Sequence, residues 1–163
     1  IPKEIRRTMR IREGDPLEIY TSKDGEVIFK KYSLMGGVDE FAAQLCETLS
    51  KSTGTTVAVT DRDSVIAAAG SARRDLIGKR ISPQLEQIME GRGIYRAAPS
   101  ERSAYVTESL DRYCATIAAP IISEGDALGL VVFIGTEGES AAGETEYKLA
   151  QAIAGFLGKH MES

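Results

Sequence analysis

Residues 1–20, IPKEIRRTMRIREGDPLEIY, place an Ile-Pro helix start, an Arg-Arg pair, a Gly-Asp-Pro turn and a strand within one short run. Pro2 suits the first turn of a helix, where its missing N–H has no partner to lose. Lys3, Arg6, Arg7 and Arg10 recur at three- and four-residue spacing, which gathers the cations on one helical face, with Ile5 and Met9 on the opposing stripe. Beyond the turn, Leu17–Thr21 and Glu26–Lys31 alternate apolar and polar residues around Ser22-Lys23-Asp24-Gly25, and Asp-Gly between two such runs predicts a hairpin. A short basic helix beside a hairpin is a plausible reader of nucleic acid.

This string, followed by DGEVIFKKY at residues 24–32, resembles the second half of an AbrB-type swapped-hairpin DNA-binding domain. The remaining chain resembles a GAF-type sensor domain, and the combination is similar to transcription regulators of endospore formers. In the AbrB-type pattern an earlier strand, with further basic residues and a Gly-Arg turn, precedes the Ile-Pro step. Residues 1–32 therefore correspond to a half-module, to be completed by that strand and by exchange with a second subunit. The resemblance implies that Arg6 and Arg7 contact double-stranded DNA, with Lys3 and Arg10 as phosphate helpers. The planar guanidinium suits this role, since it binds phosphate or guanine bidentately.

Charge divides along the same boundary. Residues 1–32 hold eight Lys/Arg against six Asp/Glu, a net of +2, whereas residues 33–163 hold twelve against eighteen, a net of −6. An acidic body with a basic end fits a DNA reader whose other domain stays off DNA, and ordinary surface charge fits the same numbers. The length of 163 residues, 42% hydrophobic and 27% charged, suits a small domain followed by a single-core domain. No apolar run approaches the ~18 residues of a membrane span, no signal peptide is visible, and a cytoplasmic protein is expected. Cys46 and Cys114 lie far apart among apolar residues, which predicts free core thiols in a reducing compartment.

The expected organisation is an α+β chain: a partial AbrB-type domain over 1–32, a linker over 33–37 broken at Gly36-Gly37, and a GAF-like domain over 38–163. Val38, Phe41, Leu45 and Leu49, with Ala42 and Cys46, predict a helix to about Ser52. Strands follow at 56–60 and 64–69, a helical turn or two at 72–77, and a helix at 83–90 capped by Ser82 with Pro83 at its first position. Strands are expected at 94–97, 104–108, 113–123 and 128–135, with Pro120 at a bulge or an edge. LGLVVFIG at 128–135 is apolar throughout, so both of its faces should be covered. A helix over 141–161 closes the chain. Strands in runs with helices at the ends argue for an antiparallel sheet carrying helices on one face.

Catalysis finds little support. The single histidine, His160, sits four residues from the end. The cysteines form no metal spacing, and no Walker or G-x-G-x-x-G pattern opens a helix. No cofactor, metal or catalytic residue is expected. Asp61 and Asp63 read as a hairpin turn. Arg73-Arg74 and Lys79-Arg80 form a second basic cluster, read either as a solvated face or as a surface for an anionic ligand or DNA. Ser71, Tyr105, Tyr113 and Thr116 are the polar groups expected near a GAF-type pocket for a small-molecule effector of unknown identity. Surplus apolar residues on the two terminal helices, Phe156 among them, predict self-association as a dimer or tetramer. Competing readings are an antitoxin-type DNA-binding autoregulator and, less favoured, an enzyme of GAF fold. The antitoxin reading fits poorly, since residues 38–163 are too apolar and periodic for a disordered toxin-binding tail.

Overall fold

The structure is a computed structural model, which describes residues 2–9, 17–31, 38–97, 104–109, 112–136 and 143–161. In the N-terminal head, α1 covers Lys3–Met9, and an antiparallel hairpin is formed by β1 (Leu17–Thr21) and β2 (Val27–Lys31). Leu17 pairs with Lys31 and Thr21 with Val27. The turn closes as the sequence predicts: Gly25 takes a positive φ of 83°, its N–H donates to the Ser22 carbonyl, and Ser22 Oγ accepts from Glu26 N–H. Ile19, Tyr20, Val27 and Ile28 are all exposed, so the hairpin buries neither face among the described residues.

The body begins with α2 (Asp39–Thr53), which ends at Gly54 in the left-handed region, with the Gly54 N–H on the Ser50 carbonyl. Then come β3 (Thr56–Thr60), β4 (Val65–Ala69), α3 (Arg73–Leu76), α4 (Pro83–Gly91), β5 (Tyr95–Arg96), β6 (Tyr113–Ser123), β7 (Asp126–Thr136) and α5 (Glu144–His160). The sheet is antiparallel throughout, in the order β4-β3-β7-β6-β5. Strands β6 and β7 form its long central hairpin. Glu124 and Gly125, both at positive φ, make the two-residue turn between the paired Ser123 and Asp126. Pro120 lies beyond the last residue of β6 that β5 pairs with, where a missing N–H costs no ladder bond.

Alternation along the strands sorts side chains into two cores. Val57, Val59, Ile117, Ala119, Ile121, Val131 and Phe133 pack under α2 and α5, which contribute Ala42, Cys46, Leu49, Ala150, Ala154 and Leu157. Ala58, Ala68, Ala118, Leu130 and Val132 face the other way, against Leu76 of α3, Leu85 and Met89 of α4, and Ala104 and Val106. The expectation of helices on one face is thus corrected: both faces are roofed, by long helices on one side and short ones on the other. This follows from β3 and β7, whose continuous apolar runs leave no face fit for water.

Other differences are local. The 104–108 segment makes isolated bridges instead of a strand, because Tyr105 pairs with Cys114 whereas Thr107 pairs with Ile81, so no single ladder extends. Strand β5 shrinks to two residues, and β7 starts at Asp126 because the turn takes only Glu124 and Gly125. The last helix starts at Glu144, where the Glu146 carboxylate accepts the Gly143 N–H at 3.0 Å; residues 141–142 lie outside the described residues. Ser82 caps α4 as expected, with Oγ accepting from Leu85 N–H at 3.1 Å and its hydroxyl donating to the Tyr105 carbonyl. Cys46 is fully buried, and burial pushes its thiol up to about 12, which makes it an inert core group. Cys114 is only half-buried, contrary to the core placement expected, since it lies where β6 meets the irregular 104–107 segment.

The last turn of α5 is set down directly on the β6–β7 hairpin. A Cβ at Gly158 would lie 2.1 Å from the Ile122 carbonyl oxygen, whereas one at Gly155 would meet nothing within 4 Å. Gly158→Ala should therefore destabilise the body by about 1–3 kcal/mol through overpacking against backbone. Gly155→Ala should be neutral or stabilising by up to about 1 kcal/mol, as expected for glycine in an exposed helix interior. Thermal unfolding of the two variants side by side checks the docking.

Candidate functional site

In the head, Pro2 starts α1 and its carbonyl accepts the Arg6 N–H at 3.1 Å. Lys3 and Arg7 are exposed and Arg6 is half-buried. Spacings of three and four residues bring the three onto one side of the helix. Arg6 Nε is shut off from solvent with no hydrogen-bond partner among the described residues. Arg10 lies outside the described residues.

The four polar residues expected near a pocket do not form one constellation. Ser71 is exposed, just before α3. Thr116 is half-buried and its hydroxyl donates to the Phe133 carbonyl at 3.0 Å. Tyr105 is half-buried and bridges to Cys114. Tyr113 is buried beside the second core, and its hydroxyl donates to Asp75 Oδ2 at 2.6 Å. The guanidinium carbon of Arg112 lies 5.3 Å from the centre of the Tyr113 ring. Two of the four hydroxyls are therefore already used inside the chain.

Sequence reading missed two features of this side. Thr107 is 3% exposed, and its Oγ1 has no hydrogen-bond partner among the described residues. Its only signal was a polar residue in an apolar stretch. The tie from Tyr113 to Asp75 joins residues 38 apart, and no local pattern announces it. It fastens the short α3 to the start of β6.

The opposite side carries an aromatic ridge. The Phe41 and Phe156 rings are 5.8 Å apart, and His160 stacks on Phe41 at 5.2 Å. Phe156 remains 50% exposed, while Leu45, Leu149 and Ile153 beside the ridge are partly buried. Among the described residues, no helix is long and apolar enough to cross a membrane, and no His/Cys/Asp/Glu group could hold a metal.

Residues 37–162 match the model for the stage V sporulation protein T C-terminal domain, described as a transcription factor. The chain belongs to the stage V sporulation protein T family. Stage V sporulation protein T of Bacillus subtilis is 41% identical over 165 residues, covering 99% of this chain and 90% of that protein. Residues 1–34 match the model for MazE-type bacterial antitoxins, which agrees with an AbrB-like hairpin module at this end. Among solved structures, a GAF domain/HD domain protein from Geobacter sulfurreducens is similar at a TM-score of 0.57 and 20% identity, covering 80% of this chain and 98% of that one. The GAF domain of an A. aeolicus protein, described as in an inactive state, is similar at a TM-score of 0.56 and 15% identity, covering 77% and 86%. At these identities the similarity establishes the GAF fold of the body. The chain is a transcription regulator of the stage V sporulation protein T family, with an α+β GAF-like body behind an AbrB-like end.

The Tyr113–Asp75 bond has a consequence for pH dependence. The hydrogen bond to Asp75, then burial, hold the phenol above its ordinary value near 10. A group whose folded value is raised contributes stability below its unfolded value and loses it as pH climbs through the folded one. Melting temperature should accordingly fall above about pH 10. In Tyr113→Phe that alkaline decline should be shallower, with a cost near neutrality of about 1 kcal/mol for the lost hydrogen bond. Melting curves of both proteins between pH 7 and 11.5 check this.

Proposed function

We propose that residues 1–32 are the DNA-reading part of a regulator of sporulation genes. Residues 33–37 act as the linker and residues 38–163 as a body for effector sensing and self-association. The cationic side of α1 carries this reading: Arg6 and Arg7 contact the duplex, and Lys3 and Arg10 contact flanking phosphates. The mixture of bidentate arginines and phosphate helpers suits readout in which DNA shape contributes alongside base contacts. The antitoxin-like match at 1–34 is accommodated within this reading, since residues 38–163 fold as a two-core body and match a transcription-factor domain. The protein works in the cytoplasm, as a non-enzymatic factor.

The two faces of the body divide the remaining tasks. The Phe41–Phe156–His160 ridge on α2 and α5 is the self-association surface, joining two copies as a dimer that a tetramer can build on. The short-helix face is the effector side. There the Thr107 hydroxyl, unpaired among the described residues, offers with Tyr105 hydrogen bonds to a small molecule. Association would tie the packing of the sensor to the spacing of two DNA-reading ends.

Arg6→Ala combined with Arg7→Ala, in the full-length protein, should weaken binding to all duplexes. The plot of log affinity against log salt should flatten by ~0.9 per lost phosphate contact. Fluorescence anisotropy over a salt series measures this, and an unchanged slope at equal folding removes the pair from the interface.

Phe156→Glu should convert residues 38–163 to a monomer by sedimentation velocity, with the circular dichroism spectrum retained. Half of the Phe156 surface is already open to solvent, so the substitution spares both cores. A variant that stays associated moves the surface elsewhere.

A further inference from the structure

The second basic cluster of the sequence has no task in either core. Arg73, Arg74, Lys79 and Arg80 are all exposed and form no ion pair among the described residues. The fold keeps them together. Arg73 and Arg74 ride on α3, which is anchored by buried Ala72 and Leu76. Residues 77–81 then run along the outer side of β4, where Gly78 N–H donates to the Val65 carbonyl and Val65 N–H to the Lys79 carbonyl, both at 2.9 Å. Arg80 bridges to Ser64. The one acid within this stretch, Asp75, is occupied by the Tyr113 hydroxyl. Stacking on that same tyrosine brings in a fifth exposed cation, Arg112.

The charge balance makes this strip an exception. Four of the body's twelve cations and one of its eighteen acids fall in residues 72–81, giving +3 there and −9 over the rest of residues 33–163. A polyanion meets attraction at this strip and repulsion elsewhere on the body. The chain itself determines which polyanion is close at hand. Six residues, 32–37, connect the end of β2 to the body, a span of at most roughly 25 Å even when fully extended. DNA held by the head therefore sits near the body at high effective concentration, where individually weak phosphate contacts count.

We propose that the strip formed by Arg73, Arg74, Lys79 and Arg80, flanked by Arg112, is a second DNA-contacting surface. It grips the phosphate backbone of duplex flanking the site held by α1. It adds affinity and salt dependence without reading sequence, as phosphate contacts do. It also gives the body a way to act on DNA binding, since α3 and β6 are fastened together by the Tyr113–Asp75 bond beside the strip.

The inference rests on DNA binding by the head, and its test separates the two. The full-length protein and its Arg73→Gln/Arg74→Gln/Lys79→Gln/Arg80→Gln variant are titrated over a salt series. Two duplexes share one central site, one of about 16 base pairs and one of about 40, the longer reaching roughly a helical turn past the site on each side. On the long duplex the variant should bind at least tenfold more weakly at low salt, with a log–log slope flatter by up to ~3.6 for four lost contacts. On the short duplex the two proteins should bind alike. Arg73→Gln/Arg74→Gln alone should flatten the long-duplex slope by up to ~1.8, which keeps the test open if the fourfold variant misfolds. Arg73→Lys/Arg74→Lys should retain the original slope. Equal slopes on the long duplex overturn the proposal, and an equal loss on both duplexes assigns the effect to the head. Arg6→Ala/Arg7→Ala, run in parallel, should fail on both; if it binds normally, the role given to α1 falls while the strip is still judged on its own slope.

Discussion

Strand β7 is buried along both faces, and a strand so placed must be roofed twice. Leu130 and Val132 point into one core, Val131 and Phe133 into the other, and all four are fully shielded from water. Each such side chain is worth roughly 1.5–3 kcal/mol relative to exposure. The demand propagates outward. β3 and β6, which flank β7, must be apolar on both sides too, and the chain has to supply helices to each face. It does so from its two ends for one face, and from the irregular middle for the other. The division of the body into a long-helix side and a short-helix side follows from this one buried strand.

The two roofs differ in how firmly they are fixed. On the long-helix side, close backbone approach at Gly158 seats α5 against Ile122. Arg96 adds a 3.1 Å ion pair to Glu144 and lies over the Tyr147 ring, joining β5 to the start of the same helix. On the short-helix side, α3 is a single turn held by Leu76 beneath and by the Tyr113–Asp75 bond at its edge. Without that bond the short α3 keeps only its buried Ala72 and Leu76 as side-chain anchors, and a helix so short does not persist by itself. The side with fewer anchors is the one suited to respond to a ligand, because elements that move are drawn from the less stable end of a fold.

Features fixed by residues close in sequence were legible before the structure. Asp24-Gly25 marked the hairpin, Ser82-Pro83 the start of α4, and the apolar run at 128–135 a strand covered twice. What stayed illegible depends on partners far away. The alternation within β6 shifts at Thr116, where an irregularity between Ala115 and Ile117 lets Ala115 face one core and Ile117 the other. Arg62 read as one residue of a charged turn, yet its Nε donates to the Ala127 carbonyl 65 residues on, tying that turn to the central hairpin. The site followed the same rule. The cationic side of α1 was visible because helical spacing gathers it, whereas its assignment to DNA came from the resemblance to AbrB-type domains. The hydroxyls proposed near a pocket were chosen by type, and Tyr113 and Thr116 turned out to spend theirs on Asp75 and a backbone carbonyl.

The placement of charge completes the physical picture of how such a regulator can be built. A body bearing net negative charge would be repelled by DNA held at the N-terminal end, and over so short a connection that repulsion would act at short range. Clustering four exposed cations in the strip beside β4 and α3 would give the body an orientation in which approach to the duplex is favourable. The strip lies on the less firmly anchored roof, whereas the aromatic ridge lies on the firmly anchored one. Pairing through the ridge would thus fix how two bodies sit together, and rearrangement of the short helices would alter the surface they turn toward DNA. A constant spacing and an adjustable contact would then be met on opposite faces of one sheet, because its central strand required both faces to be covered.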